Sequence, residues 1–172
     1  MKHWSPKLHQ HYADYMRKLK QRYPELNFPF ERSVFPTTTY NLGPRTVCFP
    51  HLDFANLAFG WCAITALGNF NYKVGGHLVL WDLDLIIEFP PGSTILIPSA
   101  ILSHSNTAVN EWERRYSVVQ YAAGALFRWV DNGYRTADSL TAKEKAQRKT
   151  INAKQWERAL SLFHVWQGRP ST

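Results

Sequence analysis

Two histidines and one aspartate in this sequence have the types and spacing of a metal-binding set. His51 and Asp53 are two positions apart, directly after Phe49-Pro50, and His104 follows on a later segment. Side chains alternate between the two faces of an extended strand, so His51 and Asp53 are predicted to point into the same space. Two imidazoles and one carboxylate form the facial triad that holds a non-heme Fe(II) and leaves coordination positions open. The sequence therefore predicts an iron site at His51, Asp53 and His104.

A second pattern, Arg115-Tyr116-Ser117, lies on the apolar segment that follows His104. By the same alternation Arg115 and Ser117 share one face, and a guanidinium beside a hydroxyl suits the binding of a carboxylate. An iron site with open positions and a nearby carboxylate anchor are what an Fe(II)- and 2-oxoglutarate-dependent dioxygenase needs, with O₂ as its other substrate. Each residue alone has a simpler interpretation, such as a buried histidine, a turn-capping aspartate or a strand arginine paired with Glu113. Together they favour the enzyme.

Short strands separated by turns would have to position these residues. Their apolar and alternating patterns predict strands at about residues 35–41, 46–49, 57–67, 77–81, 85–89, 94–97, 115–121 and 126–130. Strands of this kind without long helices between them are typical of a mainly β, or α+β, double-stranded β-helix, also called a jelly roll. This core is predicted to span about residues 35–131.

Helices are predicted on both sides of this core. Ser5-Pro6 combines a capping hydroxyl with a proline at the first helical position, and apolar residues then recur at helical spacing over residues 6 to about 22. Thr141 and Glu144 form a capping-box pattern, which predicts helices near 141–149 and 152–165. We expect core and helices to form a single domain over residues 1–172.

The basic charge of the chain lies in its flanks. The net charge is +7, and residues 132–172 carry eight Lys/Arg against three Asp/Glu, whereas residues 34–131 carry five against seven. A polyanionic partner would therefore meet the terminal segments, although charged helices also solvate their outer faces without any partner. The sequence contains no apolar run long enough to span a membrane and no apolar signal core. We therefore expect an intracellular protein that is not associated with a membrane. Cys48 and Cys62 are expected to be buried small residues.

The motifs resemble the 2-oxoglutarate/Fe(II) dioxygenase superfamily and, more narrowly, the short fungal members of its TET/JBP branch. His51-Leu52-Asp53-Phe54-Ala55-Asn56 is similar to the HxDxxN motif of that branch, and the segment from Arg115 to Tyr121 is similar to its RxSxxxY. The resemblance implies iron and 2-oxoglutarate as cofactors, with the cosubstrate held by Arg115 and Ser117. It also implies that Asn56 and Tyr121 contact the substrate.

The substrate that this resemblance implies is a methylated pyrimidine in nucleic acid. The activity would oxidise the methyl group of 5-methylcytosine in DNA to hydroxymethyl and further products, with nuclear localisation if the DNA is chromosomal. Tyr121 is independently suggestive, because it shares the inward face of Arg115 and offers a stacking surface for a base, although an inward tyrosine can equally be core. Ala123 stands where the branch has a base-contacting histidine, so cytosine selection would come from other residues or be relaxed. The alternatives are a prolyl-type side-chain hydroxylase of proteins and a non-catalytic jelly-roll binding module.

Overall fold

A computed structural model describes residues 1–163 of the chain. In this part of the chain the helices are α1 (Pro6–Arg22), α2 (Gly124–Asp131), α3 (Ala142–Ala153) and α4 (Gln155–Leu160). The strands are β1 (Thr37–Asn41), β2 (Cys62–Asn69), β3 (Leu78–Leu80), β4 (Leu85–Ile87), β5 (Thr94–Ile97), β6 (His104–Asn106) and β7 (Arg114–Tyr121), with a 3₁₀ turn at Trp81–Leu83. The chain divides into two compact units, the sheet unit (Leu26–Arg128) and the helical unit (Met1–Glu25 with the chain from Trp129).

The sheet unit contains two antiparallel sheets. The larger sheet has the strand order β1-β7-β2-β5, and the smaller one has the order β4-β3-β6. In the larger sheet, β7 pairs with β1 so that Asn41 lies opposite Ser117, and with β2 so that Ala66 lies opposite Ser117. The central place of β7 puts its alternating inward residues, which begin at Arg115, in the middle of the sheet.

Apolar side chains from both sheets pack into one core. The cluster contains Cys62, Ile64 and Ala66 of β2, Ile97 of β5, Leu78 and Leu80 of β3, and the loop residues Phe70, Phe89 and Leu102. Burial of this shared apolar surface is the main favourable term that holds two sheets face to face. The sheet unit therefore has a two-layer β arrangement, and the chain as a whole is mixed α+β with antiparallel sheets preceded and followed by helices, consistent with a β-sandwich.

The helical unit matches the sequence-based expectation in part. Helix α1 begins at Pro6 and ends at Arg22, as predicted, but the Ser5 side chain does not cap it and instead donates to the carbonyl of Leu162 at 3.4 Å. The capping box of Thr141 and Glu144 is present at the start of α3. The predicted last helix, 152–165, is replaced by the end of α3 and by α4, and its residues 164 and 165 lie outside the described part of the chain.

Two strand predictions were wrong. Residues 126–130 belong to helix α2, because Phe127 and Val130 are buried at helical spacing and a short apolar run does not by itself distinguish a helix from a strand. Residues 46–49 form no regular strand, although Thr46 donates to the carbonyl of Arg115 through its backbone N–H and its hydroxyl. Cys48 donates its N–H to the Asn106 side chain and accepts from the Asn106 backbone N–H. Among residues 1–163, none of the helices combines the length and apolar character that a membrane crossing needs.

Candidate metal centre

The two predicted histidine ligands are joined through their backbones. The N–H of His51 donates to the carbonyl of His104 at 3.1 Å, and the N–H of His104 donates back to the carbonyl of His51 at 3.1 Å. This reciprocal pair is the hydrogen-bonded pairing of antiparallel strands, reduced here to a single bridge. It brings the imidazole centroids to 4.4 Å from each other. Strand β6 thus positions His104, and this bridge positions His51.

Hydrogen bonds to backbone carbonyls fix the tautomer of both imidazoles. The Nδ1 atom of His51 lies 2.7 Å from the carbonyl oxygen of Phe49, and that of His104 lies 2.9 Å from the carbonyl oxygen of Leu102. A carbonyl oxygen only accepts, so each Nδ1 carries a hydrogen, and in the neutral ring Nε2 is the nitrogen with the free lone pair. Metal-binding histidines usually have this arrangement, because the second hydrogen bond orients the ring and raises its basicity.

Both Nε2 atoms face the carboxylate of Asp53. The Nε2 of His51 lies 3.7 Å from Asp53 Oδ1, and the Nε2 of His104 lies 4.0 Å from Asp53 Oδ2. The backbone N–H of Asp53 donates to the carbonyl of Ser99 at 2.9 Å, and the Asn56 amide donates to Asp53 Oδ2 at 3.3 Å and to Ser99 Oγ at 3.2 Å. Asp53 is therefore held at its backbone and at one carboxylate oxygen.

The three ligand atoms lie within 4.8 Å of one another, so the group could hold a metal ion. His104 is buried, and burial lowers its pKa, which favours the neutral imidazole that a metal requires. The side chain of His51 is 42% exposed, so one side of the group is open to solvent. Two free nitrogen lone pairs and one carboxylate fit a divalent transition metal, and they match the ligand set of a non-heme iron site.

Arg115 lies in the same sheet unit as this group and is almost completely buried. It is 2% exposed, and its Nη1 atom donates to the carbonyl of Thr46 at 3.3 Å. In the described part of the chain its Nε atom has no hydrogen-bond partner, and no carboxylate forms an ion pair with it. Burial lowers the pKa of Arg115. The carboxylate of Glu113 accepts from the backbone of Asn71 and Asn110 instead of from Arg115. An anionic ligand would supply the missing partner.

The inward side chains of β7 open onto one cavity together with the metal-binding group. The cavity has a volume of about 410 Å³. Its lining includes every residue to which the sequence assigned a role, namely His51, Asp53, Asn56, His104, Arg115, Ser117 and Tyr121. Strand alternation accounts for the residues from β7, since positions two apart share a face. One cavity is thus lined by both a metal-binding group and a buried arginine, and its volume suits a small molecule.

Other lining residues were missed or given little weight by the sequence. Asn41, which is opposite Ser117 on β1, donates its amide hydrogen to Ser117 Oγ at 2.8 Å, and Cys48 contributes a half-buried thiol. Phe54 lines the cavity although the residue is 89% exposed. The position of Phe54 next to Asp53 was the signal available in the sequence, but its exposure depends on the turn at 54–55. Two nearby residues, His77 and Ala123, do not line the cavity.

No protein-family model matches the sequence, and no curated protein matches it. Among solved structures, the chain is similar to NgTET1, determined in complex with 5mC DNA, with 19% sequence identity and a TM-score of 0.48. The match covers 71% of this chain and 51% of that one, so it spans about half the length of NgTET1. A likeness at this level assigns no activity.

Proposed function

We propose that this protein is an Fe(II)- and 2-oxoglutarate-dependent dioxygenase with a jelly-roll core. One observation carries the proposal: a His-Asp-His group with both Nε2 lone pairs turned to the carboxylate shares a cavity with a buried arginine that lacks an anionic partner in the described part of the chain. The first feature suits a metal, and the second suits a carboxylate. A cosubstrate that chelates iron at one end and carries a carboxylate at the other satisfies both.

The residues of the chain have separate tasks in this proposal. His51, Asp53 and His104 hold the iron, and Asn56 keeps the Asp53 carboxylate oriented. Arg115 and Ser117 bind the distal carboxylate of 2-oxoglutarate through charge-assisted hydrogen bonds. Bound together, iron and 2-oxoglutarate supply the oxidation of a substrate C–H bond by O₂, in which 2-oxoglutarate becomes succinate and CO₂. Apolar lining residues such as Ile64 and Val119 limit the access of water.

The proposed substrate is the methyl group of a modified nucleobase, with 5-methylcytosine in DNA as the first choice. The motif resemblance supports it, and so does Tyr121, whose ring borders the cavity and could stack on a base that has left the helix. Phe54 adds an exposed aromatic ring at the same cavity. The reaction would convert methyl, O₂ and 2-oxoglutarate into hydroxymethyl, succinate and CO₂, and repetition would give the more oxidised bases.

The distribution of charge supports a nucleic-acid partner. By sequence the helical unit has 14 Lys/Arg against 6 Asp/Glu, a net charge of +8, whereas the sheet unit has 6 against 7. Positive charge of this kind binds the phosphate backbone and releases counterions. Affinity for a methylated duplex should therefore fall steeply between 50 and 200 mM salt, by about 10³-fold if six or more phosphates are contacted. A flat salt response would contradict the partner. A chromosomal substrate would place the protein in the nucleus.

The enzyme class is tested by succinate formation. The protein is incubated with Fe(II), 2-oxoglutarate and O₂, with and without a 5-methylcytosine duplex, and succinate is measured. Alanine at Asp53 or His104 should abolish turnover, because it removes a metal ligand. His77→Ala is the matched control, since this histidine lies in the same unit but does not line the cavity. Retained turnover in Asp53→Ala would refute the metal assignment.

The substrate class is tested in the same assay by changing the acceptor. Mass spectrometry of the oligonucleotide should detect hydroxymethylcytosine only when active protein is present. Succinate that forms with proline-containing peptides and not with DNA would instead identify a protein hydroxylase. Absence of succinate with every acceptor, together with tight binding of 2-oxoglutarate, would identify a binding module.

A further inference from the structure

Asn41 donates a hydrogen bond to Ser117 in the cavity that the metal-binding group also lines. The two residues face each other across the β1–β7 pair, and both line the cavity. The amide nitrogen of Asn41 donates to Ser117 Oγ at 2.8 Å. The serine oxygen is therefore the acceptor in this contact. Its own hydrogen remains available for another partner.

The direction of this bond matters because a carboxylate accepts hydrogen bonds and donates none. The Ser117 hydroxyl can donate to a carboxylate in the cavity only if nothing else takes its hydrogen. Because Asn41 is the donor in its bond to Ser117, the hydrogen of the Ser117 hydroxyl stays free. In such a chain of hydrogen bonds, the bond from Asn41 also strengthens the bond that Ser117 donates. Arg115, two positions from Ser117 on β7, also lines the cavity, and its Nε, which has no partner among the described residues, is a second donor.

We infer that Asn41 is a positioning residue that turns the Ser117 hydroxyl toward the distal carboxylate of 2-oxoglutarate. This inference rests on the proposed function and adds a determinant of cosubstrate binding from a different strand. Asn41 acts through Ser117 and needs no contact with the ligand. Its role depends on hydrogen-bond polarity, so variants that differ in polarity separate it from a simple packing role.

Two substitutions at this position have different expected effects. Asn41→Ala removes the donor and lets the Ser117 hydroxyl rotate, which should weaken 2-oxoglutarate binding about 5- to 10-fold, the value of one neutral hydrogen bond. Asn41→Asp keeps the size but reverses the polarity. The new carboxylate accepts the Ser117 hydrogen and repels the ligand, so binding should weaken by about 100-fold or more. A packing role would predict the opposite order, since Asp preserves the shape better than Ala.

Binding is measured by titration calorimetry without O₂, using 2-oxoglutarate and Mn(II) in place of Fe(II). The control is Tyr40→Ala, because Tyr40 is the neighbour of Asn41 on β1, is 52% exposed and does not line the cavity. We expect wild type and Tyr40→Ala to bind equally, Asn41→Ala to bind less tightly and Asn41→Asp to bind least. In turnover assays the KM for 2-oxoglutarate should rise in both Asn41 variants, whereas kcat at saturation should not change in Asn41→Ala.

The outcomes separate this inference from the proposed function. If wild type binds 2-oxoglutarate and Asn41→Asp binds at least as tightly as Asn41→Ala, the inference is wrong and the enzyme assignment stands. If wild type binds no 2-oxoglutarate in the presence of Mn(II), both are wrong. Thermal unfolding of each variant without ligand shows whether it is folded. The affinities for 2-oxoglutarate are compared only among the Asn41 variants whose unfolding midpoint matches that of wild type. Asn41→Leu serves as a second replacement that has a similar size and no donor.

Discussion

Replacing Arg115 by methionine should separate cosubstrate binding from folding stability. Arg115 is 2% exposed, its Nε has no partner in the described part of the chain, and burial lowers its pKa. Methionine keeps an unbranched chain of similar length without the charge. The variant therefore removes a buried charge whose intended partner, on our proposal, is the ligand.

Without ligand, the variant should be at least as stable as wild type. A buried polar group without a partner costs about 1–3 kcal/mol, and the substitution removes that cost. The substitution also removes the hydrogen bond from Nη1 to the Thr46 carbonyl at 3.3 Å, but that carbonyl still accepts from the Asn106 amide at 3.0 Å. The methionine chain can still pack beside Gly76 and the Phe70 ring, which are the neighbours of Arg115 in the wild-type structure. We expect the free energy of unfolding to stay equal or to rise by about 1–3 kcal/mol.

With ligand, the order should reverse. A ligand at one hundred times its dissociation constant stabilises the folded state by about 2.7 kcal/mol. For a chain of 172 residues, each kcal/mol shifts the unfolding midpoint by about 2–4 °C, so wild type should gain about 5–10 °C. Loss of a charge-assisted pair that is buried costs about 2–5 kcal/mol of binding. The variant should therefore gain little or nothing at the same ligand concentration.

The assay is thermal unfolding without O₂, with Mn(II) present and 2-oxoglutarate either present or absent. Arg114→Met is the matched control, because Arg114 is the exposed neighbour on β7 and does not line the cavity; it should respond to 2-oxoglutarate as wild type does. The reasoning is refuted if Arg115→Met unfolds far below wild type without ligand, or if 2-oxoglutarate raises its midpoint as much as that of wild type.

Three further predictions concern other parts of the molecule. Gly68→Ala should lower the free energy of unfolding in urea by about 3 kcal/mol or more, because Gly68 has φ +121° and a Cβ would lie 2.2 Å from the Arg114 carbonyl oxygen. Gly92→Ala is the control, since Gly92 has φ +85° but open space around it, and it should cost only about 1–2 kcal/mol. Equal costs would contradict the close approach at Gly68. A thiol reagent should modify Cys48, which lines the cavity, and the modification, followed by mass spectrometry, should be slower when Mn(II) and 2-oxoglutarate are present. Cys62 should stay unmodified, because it is 1% exposed and burial raises its pKa to about 11. A rate of Cys48 modification that does not change with ligand would argue against binding in the cavity. Hydrogen bonds from Arg135, and to a smaller extent from Thr141, lower the pKa of Glu144 to about 2 from an ordinary value of 4.5. The stability that Glu144 contributes is therefore present above pH 4.5 and is lost as the pH falls toward 2. The difference in unfolding midpoint between wild type and Glu144→Gln should be largest near neutral pH and vanish near pH 2, and a difference independent of pH would exclude this linkage.

Local rules predicted the elements whose signals are contained in a few neighbouring residues. Proline at the first helical position placed the start of α1 at Pro6, and the pair Thr141 and Glu144 placed the start of α3. Alternation along β7 put Arg115 and Tyr121 on one face, and both line the cavity. Each of these predictions depends on backbone geometry within one element, which the sequence specifies directly.

Local rules failed where neighbouring residues allow more than one structure. The apolar run at residues 126–130 is compatible with a strand and with a helix. In the structure it belongs to helix α2, with Phe127 and Val130 buried on one face. The Ser5 hydroxyl was available to cap α1, yet it bonds to the carbonyl of Leu162. Asn56 was assigned to the substrate, and its amide bonds to Asp53 and Ser99; the substrate role stays a prediction.

The sequence by itself determined which donor atoms this protein has and which of them share a strand face, because alternation is a property of the backbone. Only the tertiary structure decided that His51 and His104 exchange backbone hydrogen bonds, that Asn41 lies opposite Ser117, and that Arg115 is buried without an ionic partner among the described residues. These facts depend on strand register between segments far apart in the chain. Register is set by the packing of the whole core, since a slip of one residue would turn every inward side chain outward.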